Sequence, residues 1–260
     1  MENDIENDGS SAYRAPAVKR TIEIIELISA SDTGFSLSQI AHSLGYNKST
    51  IYGIIQVLLK EKVLNRSATD KKLFLGPKIV DMSLRSWNYL KIIKKVQPIL
   101  NELRDSTGET VFLGALSDDR ILIMATADAI NPIKISAPPG TTIPLFSGGV
   151  GRVFHSARED ADCVALIRKH GLQQFTPDTI TDEKQYVAAL HRVREQGYAV
   201  DNGEYMPGVI AIAAGLNNLR GLPLAVWIVS VATSINDPKL DVFIGEIKRF
   251  AALLKASLDE

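Results

Sequence analysis

Two short runs of helix-period apolar residues, parted by one glycine, constrain this chain more than any other feature: LSQIAHSLGYNKSTIYGIIQVLLKEKVL over 37–64. Ser36 followed by Gln39 has the form of a capping box at a helix start. Leu37, Ile40, Ala41 and Leu44 then share one helical face, and Gly45 supplies the stop. Asn47 suits the N-cap of a second helix, in which Ile51, Ile54, Ile55, Leu58 and Leu59 form an apolar stripe. The segment therefore reads as two helices around a tight turn.

The other face of the second helix carries Lys48, Ser49, Tyr52 and Gln56, with no acid before Glu61. Such a face suits a recognition helix, because a carboxylate would meet phosphates while hydroxyls and amides bond backbone oxygens or base edges. Thr50 belongs to the groove-facing set or packs inside the domain. Gly53 has two readings: a gap for close approach to DNA, or a contact with a neighbouring helix. A helical hairpin buried in a core is the plain alternative for the whole segment, and its flanks weigh against that. Val63–Leu64 and Leu73–Leu75 bracket a polar turn at Ser67–Asp70, as in a small hairpin, with Arg66, Lys71 and Lys72 clustered on it. Upstream, Val18, Ile22, Ile25, Leu27 and Ile28 mark a further amphipathic helix, led by Arg14, Lys19 and Arg20. Helix, helix, recognition helix, wing is the order of a winged helix-turn-helix. Lys48, Ser49, Thr50, Tyr52 and Gln56 are the candidates for the groove, and Arg66, Lys71, Lys72 and Arg20 for the phosphates.

Charge is divided along the chain. Residues 12–95 hold 14 Lys+Arg against 6 Asp+Glu, whereas 96–260 hold 15 against 20. A basic head on an acidic body suggests that the head meets a polyanion. The 260 residues suffice for one or two cores, and 45% hydrophobic with 23% charged is the balance of a globular protein. No apolar run approaches the ~18 residues of a spanning helix. The acidic start MENDIENDGSSAYR is unlike a signal peptide, and residues 1–13 are expected to be a disordered tail. A single cysteine fits a reducing cytoplasm.

Gly76-Pro77 breaks the chain after the wing, giving a DNA-binding domain over 14–76. Helical periodicity resumes through Ile79, Val80, Met82, Leu84, Trp87, Leu90, Ile93 and Val96, so 77–96 is expected to be a linker helix. Its apolar surface suits either a domain connection or, the preferred reading, a dimer contact. From 97 to 260 the pattern is α+β. Pro98–Arg104 reads as helix, followed by strands at Thr110–Leu116, Arg120–Ala125, Ile133–Ala137 and Thr141–Leu145. Helices follow at Val150–Ala157, Asp160–His170 and Asp182–Gln196, then strands at Tyr198–Val200, Val209–Leu216 and Leu224–Val231, and a closing helix at Lys239–Leu258.

The head pattern with LFLG after it, then ETVFLGAL, FSGGVGRVF, TPDTITD, REQGYAVDNGEYMPGVIAIAA and the closing helix, follow one another in an order and spacing that resemble the IclR family of bacterial transcriptional regulators over essentially the whole chain. The resemblance implies a winged helix-turn-helix, a linker helix and a GAF-like α/β effector domain, in dimers that often pair into tetramers. It implies partners of two kinds besides self: double-stranded promoter DNA and a small organic acid. It also implies a pocket between the Gly-rich loop and the sheet, with Gly149 and Val150 offering N–H groups to a carboxylate, Asp201 as a pocket acid and Ser230 as a pocket hydroxyl. Two further pocket positions fall on Ala211 and Ile228, which suggests a larger, partly apolar acid such as an aromatic one, unless both residues simply face the core. Departures from the family pattern are Gly53 in place of a polar residue, Val150-Gly151-Arg152-Val153 in the effector loop, and Gly203-Glu204 in place of two acids. Arg152 is a carboxylate partner or a solvated surface arginine.

Nothing in the sequence asks for catalysis, a metal or a cofactor. The histidines (His42, His155, His170, His191) lack ligand spacing, Cys163 sits in an amphipathic pattern as a small hydrophobe, and the G-x-S-x-G and phosphate-loop motifs are missing. Asp201 with Glu204 offers an acid pair, although acids around a turn are usually solvated. The expectation is a cytoplasmic, ligand-responsive regulator, a repressor in its commoner mode. The alternative is a small-molecule sensor or interaction module that never meets DNA.

Overall fold

The computed structural model describes residues 15–85, 89–117, 119–216, 218, 221–231 and 237–259, so the expected tail at 1–13 lies outside the described residues. The chain divides into two compact units at Tyr89/Leu90, inside the stretch read as a linker helix.

The first unit is helical with a small sheet. Helices α1 (Pro16–Ser29), α2 (Leu37–Leu44) and α3 (Lys48–Lys60) precede strands β1 (Leu64–Arg66) and β2 (Leu73–Leu75) and helix α4 (Pro77–Arg85). The capping box forms: the Gln39 N–H donates to Ser36 Oγ, and the Ser36 N–H donates to Gln39 Oε1 at 2.8 Å. Gly45 ends α2 at φ +67°, a left-handed conformation that glycine adopts without steric cost. Asn47 stands at the N-cap of α3, yet its side chain makes no capping bond. Ile24, Ile28, Ile40, Ile51, Ile55 and Leu58 are buried together with Leu64 and Leu73. In α1, Val18 and Ile22 lie on the solvent side, and the buried stripe runs through Ile24 and Ile28 instead. β1 and β2 pair antiparallel, Asn65 opposite Phe74, and Phe35 adds a bridge to Leu73, which ties the hairpin to the loop before α2.

The second unit is an antiparallel sheet between two helical layers. Its elements are α5 (Tyr89–Thr107), β3 (Thr110–Ser117), β4 (Arg120–Ala127), β5 (Thr142–Pro144), α6 (Gly148–Ser156), α7 (Asp160–His170), α8 (Glu183–Gln196), β6 (Ala199–Asn202), β7 (Val209–Gly215), β8 (Leu224–Val231) and α9 (Asp237–Asp259). The strand order is β5-β4-β3-β8-β7-β6. Val96, Leu100 and Leu103 of α5, with Phe243, Ile247 and Phe250 of α9, cover one face. α6, α7 and α8 cover the other with Val150, Val153, Cys163, Ile167, Tyr186 and Leu190. The sheet is thus buried on both sides, and successive residues of its central strands serve different cores.

Two expectations change here. Pro98 lies inside one continuous helix, so Pro98–Arg104 is not a separate element. Ile133–Ala137 alternates like a strand but forms none: the Thr126 hydroxyl donates to Ala137 O, Lys134 Nζ to Ala129 O and Ser136 Oγ to Asp128 Oδ1, which holds the segment as an irregular loop.

Candidate functional site

In the first unit, α3 turns Ile51, Ile55 and Leu58 inward and leaves Lys48, Ser49, Tyr52, Gly53, Val57 and Lys60 exposed, with Thr50 and Gln56 half-buried. A Cβ built on Gly53 meets nothing within 4 Å, so the reading that it packs against a neighbouring helix falls away. Arg66 and Lys71 stand exposed on the wing, with Lys71 at φ +60° in its turn. Lys72 is half-buried and donates to Thr33 O at 3.2 Å, bracing the wing as well as charging it. The wing also carries an acid: the Ser67 hydroxyl and the Lys72 N–H hold the Asp70 carboxyl below its ordinary value, so it is ionised and offsets part of the local positive charge. The Arg20 guanidinium lies 5.0 Å from the centre of the Tyr46 ring, and the Tyr46 hydroxyl donates to Glu23 Oε2 at 2.7 Å. That cation is half-buried against the ring.

In the second unit, a cavity of about 210 Å³ opens between the sheet and the start of α6. Its floor is Phe112 and Ile123, Val209 and Ala211, and Trp227 and Val229. Ile135 and Ala137 of the irregular loop, Val150 of α6, and Tyr205 and Met206 of the β6–β7 turn complete it. Gly114 makes room for the tryptophan: a Cβ there would fall 2.6 Å from Trp227 Cη2. Of the polar side chains at the wall, Ser136 donates to Asp128 and Ser147 to Pro144 O. The Tyr205 hydroxyl has no partner among the described residues, and the remaining polar group is the Asp201 carboxyl.

Asp201 joins the cavity to a buried charge network. It is 6% exposed, and burial pushes its carboxyl up to about 6, against the pull of the Glu204 N–H, which donates to Oδ1 at 2.7 Å. Its other oxygen lies so close over α6 that a Cβ on Gly148 would be 1.7 Å from Oδ2. Glycine is required there, and Gly148 also has φ +40°. Arg152, one turn into α6, is no surface arginine: it is buried and forks onto both oxygens of Glu204, with Nη2 also donating to Val200 O at 2.7 Å. Asp201 and Glu204, unlike most acids around a turn, are therefore both internal.

The pocket residues expected from the sequence divide. Val150, Asp201 and Ala211 line the cavity. Gly149 does not; it is the close contact of α6 with β6, where a Cβ would lie 3.2 Å from the Asp201 nitrogen. Ile228 is a correction, being packed under α9 on the opposite face. Ser230, two residues on, shares that face and is buried. The β8 residues at the cavity are Trp227 and Val229, one position away. Because β8 is apolar and buried on both faces, no alternation in its sequence fixes the register. Phe112, Trp227 and Tyr205 escaped the sequence reading altogether.

Beside the cavity, His155 stacks on Phe146 at 4.7 Å between ring centres, fully buried, with neither ring nitrogen hydrogen bonded, and burial holds its pKa down at about 4. Among the described residues no group of His, Cys, Asp and Glu could hold a metal ion, and no helix is long and apolar enough to cross a membrane.

A winged helix-turn-helix joined in one chain to a three-layered sensor unit with a cavity defines a transcriptional regulator. The model of the bacterial transcriptional regulator IclR C-terminal domain matches residues 85–256, and that of the IclR helix-turn-helix domain matches 17–67. The chain is 30% identical over 205 residues to the HTH-type transcriptional regulator BhcR of Paracoccus denitrificans, covering 79% of this chain and 73% of that one. A solved IclR transcriptional regulator from Alicyclobacillus acidocaldarius superposes with a TM-score of 0.79 at 27% identity, covering 94% of this chain and 99% of that one. An IclR homologue from Microbacterium hydrocarbonoxydans, solved in complex with 4-hydroxybenzoate, superposes at 0.77 with 17% identity, covering 94% and 99%. The chain belongs to the IclR family.

Proposed function

We propose that this regulator works in the cytoplasm as a dimer or tetramer, represses its promoter through α3 and the wing, and lets go when a small aromatic acid fills the cavity of the second unit. The exposed, acid-free face of α3 beside the basic wing supports the DNA-binding part most directly. Lys48, Ser49, Thr50, Tyr52 and Gln56 enter the groove, while Arg66, Lys71, Lys72 and Arg20 serve the phosphates. Exposed Val80 and Met82 on α4 support a contact with a second copy, which places two recognition helices on paired half-sites.

The effector reading rests on the aromatic and aliphatic floor formed by Phe112, Trp227 and Val229, and on a volume that suits one ring and a short substituent. The 4-hydroxybenzoate held by the Microbacterium homologue is in keeping with it. The Val150 N–H and the Tyr205 hydroxyl are the donors for a carboxylate, with Asp201 available to a hydroxyl. Release requires that the ligand prefer one arrangement of the chain over the other.

Fluorescence anisotropy tests both halves, using a duplex from upstream of the protein's own gene against a scrambled one across a salt series. The expected result is selective binding that weakens steeply with salt and is lost in Lys48→Ala and Tyr52→Ala. Addition of 4-hydroxybenzoate or benzoate should free the duplex where pyruvate does not. Equal, salt-insensitive binding to both duplexes refutes the DNA reading, and tight binding of pyruvate alone refutes the aromatic one.

A further inference from the structure

Gly53 lies at the centre of the solvent face of α3. Ser49 precedes it by four residues, Gln56 and Val57 follow at three and four, and Tyr52 adjoins it, so these four side chains ring a position that has none. Packing does not demand a glycine: its conformation is helical, and a Cβ would meet open space. Val57 and Tyr52 are 59% and 54% exposed, apolar and aromatic surface on a face that is otherwise polar. Over its whole length α3 contains no Arg, Asn, Asp or Glu, and its lysines stand at its two ends, Lys48 and Lys60.

Base chemistry gives this set a direction. Guanine is read by Arg or Lys on O6 and N7, adenine by the amide of Asn or Gln on N6 and N7, and thymine by apolar contact with its methyl group. The middle of the helix offers an amide, a hydroxyl and two apolar surfaces, and no cation. We infer that α3 reads adenine–thymine pairs at the centre of each half-site, with Gln56 on adenine, Val57 and Tyr52 against thymine methyls, and Gly53 as the gap that lets the helix sit deep enough for them to reach. Lys48 stays in the groove-facing set at the N-terminal end of the helix and Lys60 stands at the other end, so both lie away from that centre. This rests on the DNA-binding reading above and adds the bases that are read.

The test uses the full chain and a pool of duplexes with a randomised core. Enriched sequences should carry A·T pairs at the centre of each half-site. Replacing those thymidines by deoxyuridine removes only the methyl groups; it should weaken wild type several-fold and Val57→Ser much less. Gln56→Ala should lower affinity between about five- and 150-fold and relax the choice at the adenine. Gly53→Arg should move one pair per half-site to G·C and leave the others unchanged. Enrichment of fixed G·C pairs at the centre, or indifference of wild type to deoxyuridine, overturns the inference while leaving DNA binding intact. Failure to enrich any sequence overturns both. The deoxyuridine arm leaves the protein unaltered, so a folding defect in a variant does not decide the matter.

Discussion

The Arg152 guanidinium and the Glu204 carboxylate pair two-on-two across 52 residues of sequence, with side chains 6% and 15% exposed. The fork fastens the first turns of α6 to the β6–β7 turn, and both segments border the cavity. Loss of either partner leaves a buried charge without its counterion. Arg152→Met and Glu204→Met should each cost about 3–5 kcal/mol, and the double variant less than either single one, as read from denaturation midpoints. Equal, small losses for both single variants would show that the pair is solvated.

Asp201 carries a pH signature of defined sign. Its folded carboxyl titrates near 6 and its unfolded one near 3.8, so its contribution is fully present below 3.8 and is lost as pH rises through 6. The loss approaches about 3 kcal/mol at about 1.4 kcal/mol per unit. Asp201→Asn, which keeps an acceptor for the Glu204 N–H, should be immune. The gap between the two proteins in urea midpoint should widen from pH 4 to pH 7; a gap that stays constant would mean that Asp201 is ionised throughout.

His155 has the opposite slope. Its folded pKa of about 4 lies below the ordinary 6.5, so its contribution is complete above 6.5 and is lost as pH falls through 4. His155→Leu removes two unbonded ring nitrogens from an apolar setting. It should be more stable than wild type at pH 4 by up to about 3 kcal/mol and much closer to it at pH 7.5. A variant that loses stability equally at both pH values would point instead to packing with Phe146.

Two glycines should respond in opposite directions to the same substitution. Gly148→Ala drives a methyl into the Asp201 carboxylate at a positive φ, and should cost at least about 2 kcal/mol and weaken ligand binding. Gly53→Ala places a methyl in open space inside a helix, and should raise the melting midpoint of the first unit by the equivalent of about 1 kcal/mol. Calorimetry on the full chain reads both, and destabilisation by Gly53→Ala would contradict the exposed placement.

Much of the architecture was legible where local chemistry decides it. The capping box at Ser36, the stop at Gly45 and the stripe from Ile51 to Leu58 need only near neighbours, and α7 and β8 begin and end where periodicity and flanking residues set them. What escaped depends on distant partners. Arg152 looks solvent-bound until Glu204 is brought to it, and Pro98 looks like a break until packing of Val96, Leu100 and Leu103 carries the helix through it. The error at Ile228 and Ser230 is a single-residue slip in a strand that shows the same apolar character on either side.

That two-sided strand has a mechanical consequence. Trp227 and Val229 face the cavity while Val226 and Ile228 belong to the cluster that seats α5 and α9. A single extended backbone thus serves as the common wall of two rooms, and a close-packed wall yields as a body or not at all. Whatever fills the one room has to be reconciled with the position of α5 in the other, and α5 begins at Tyr89, where the chain comes out of its DNA-binding half.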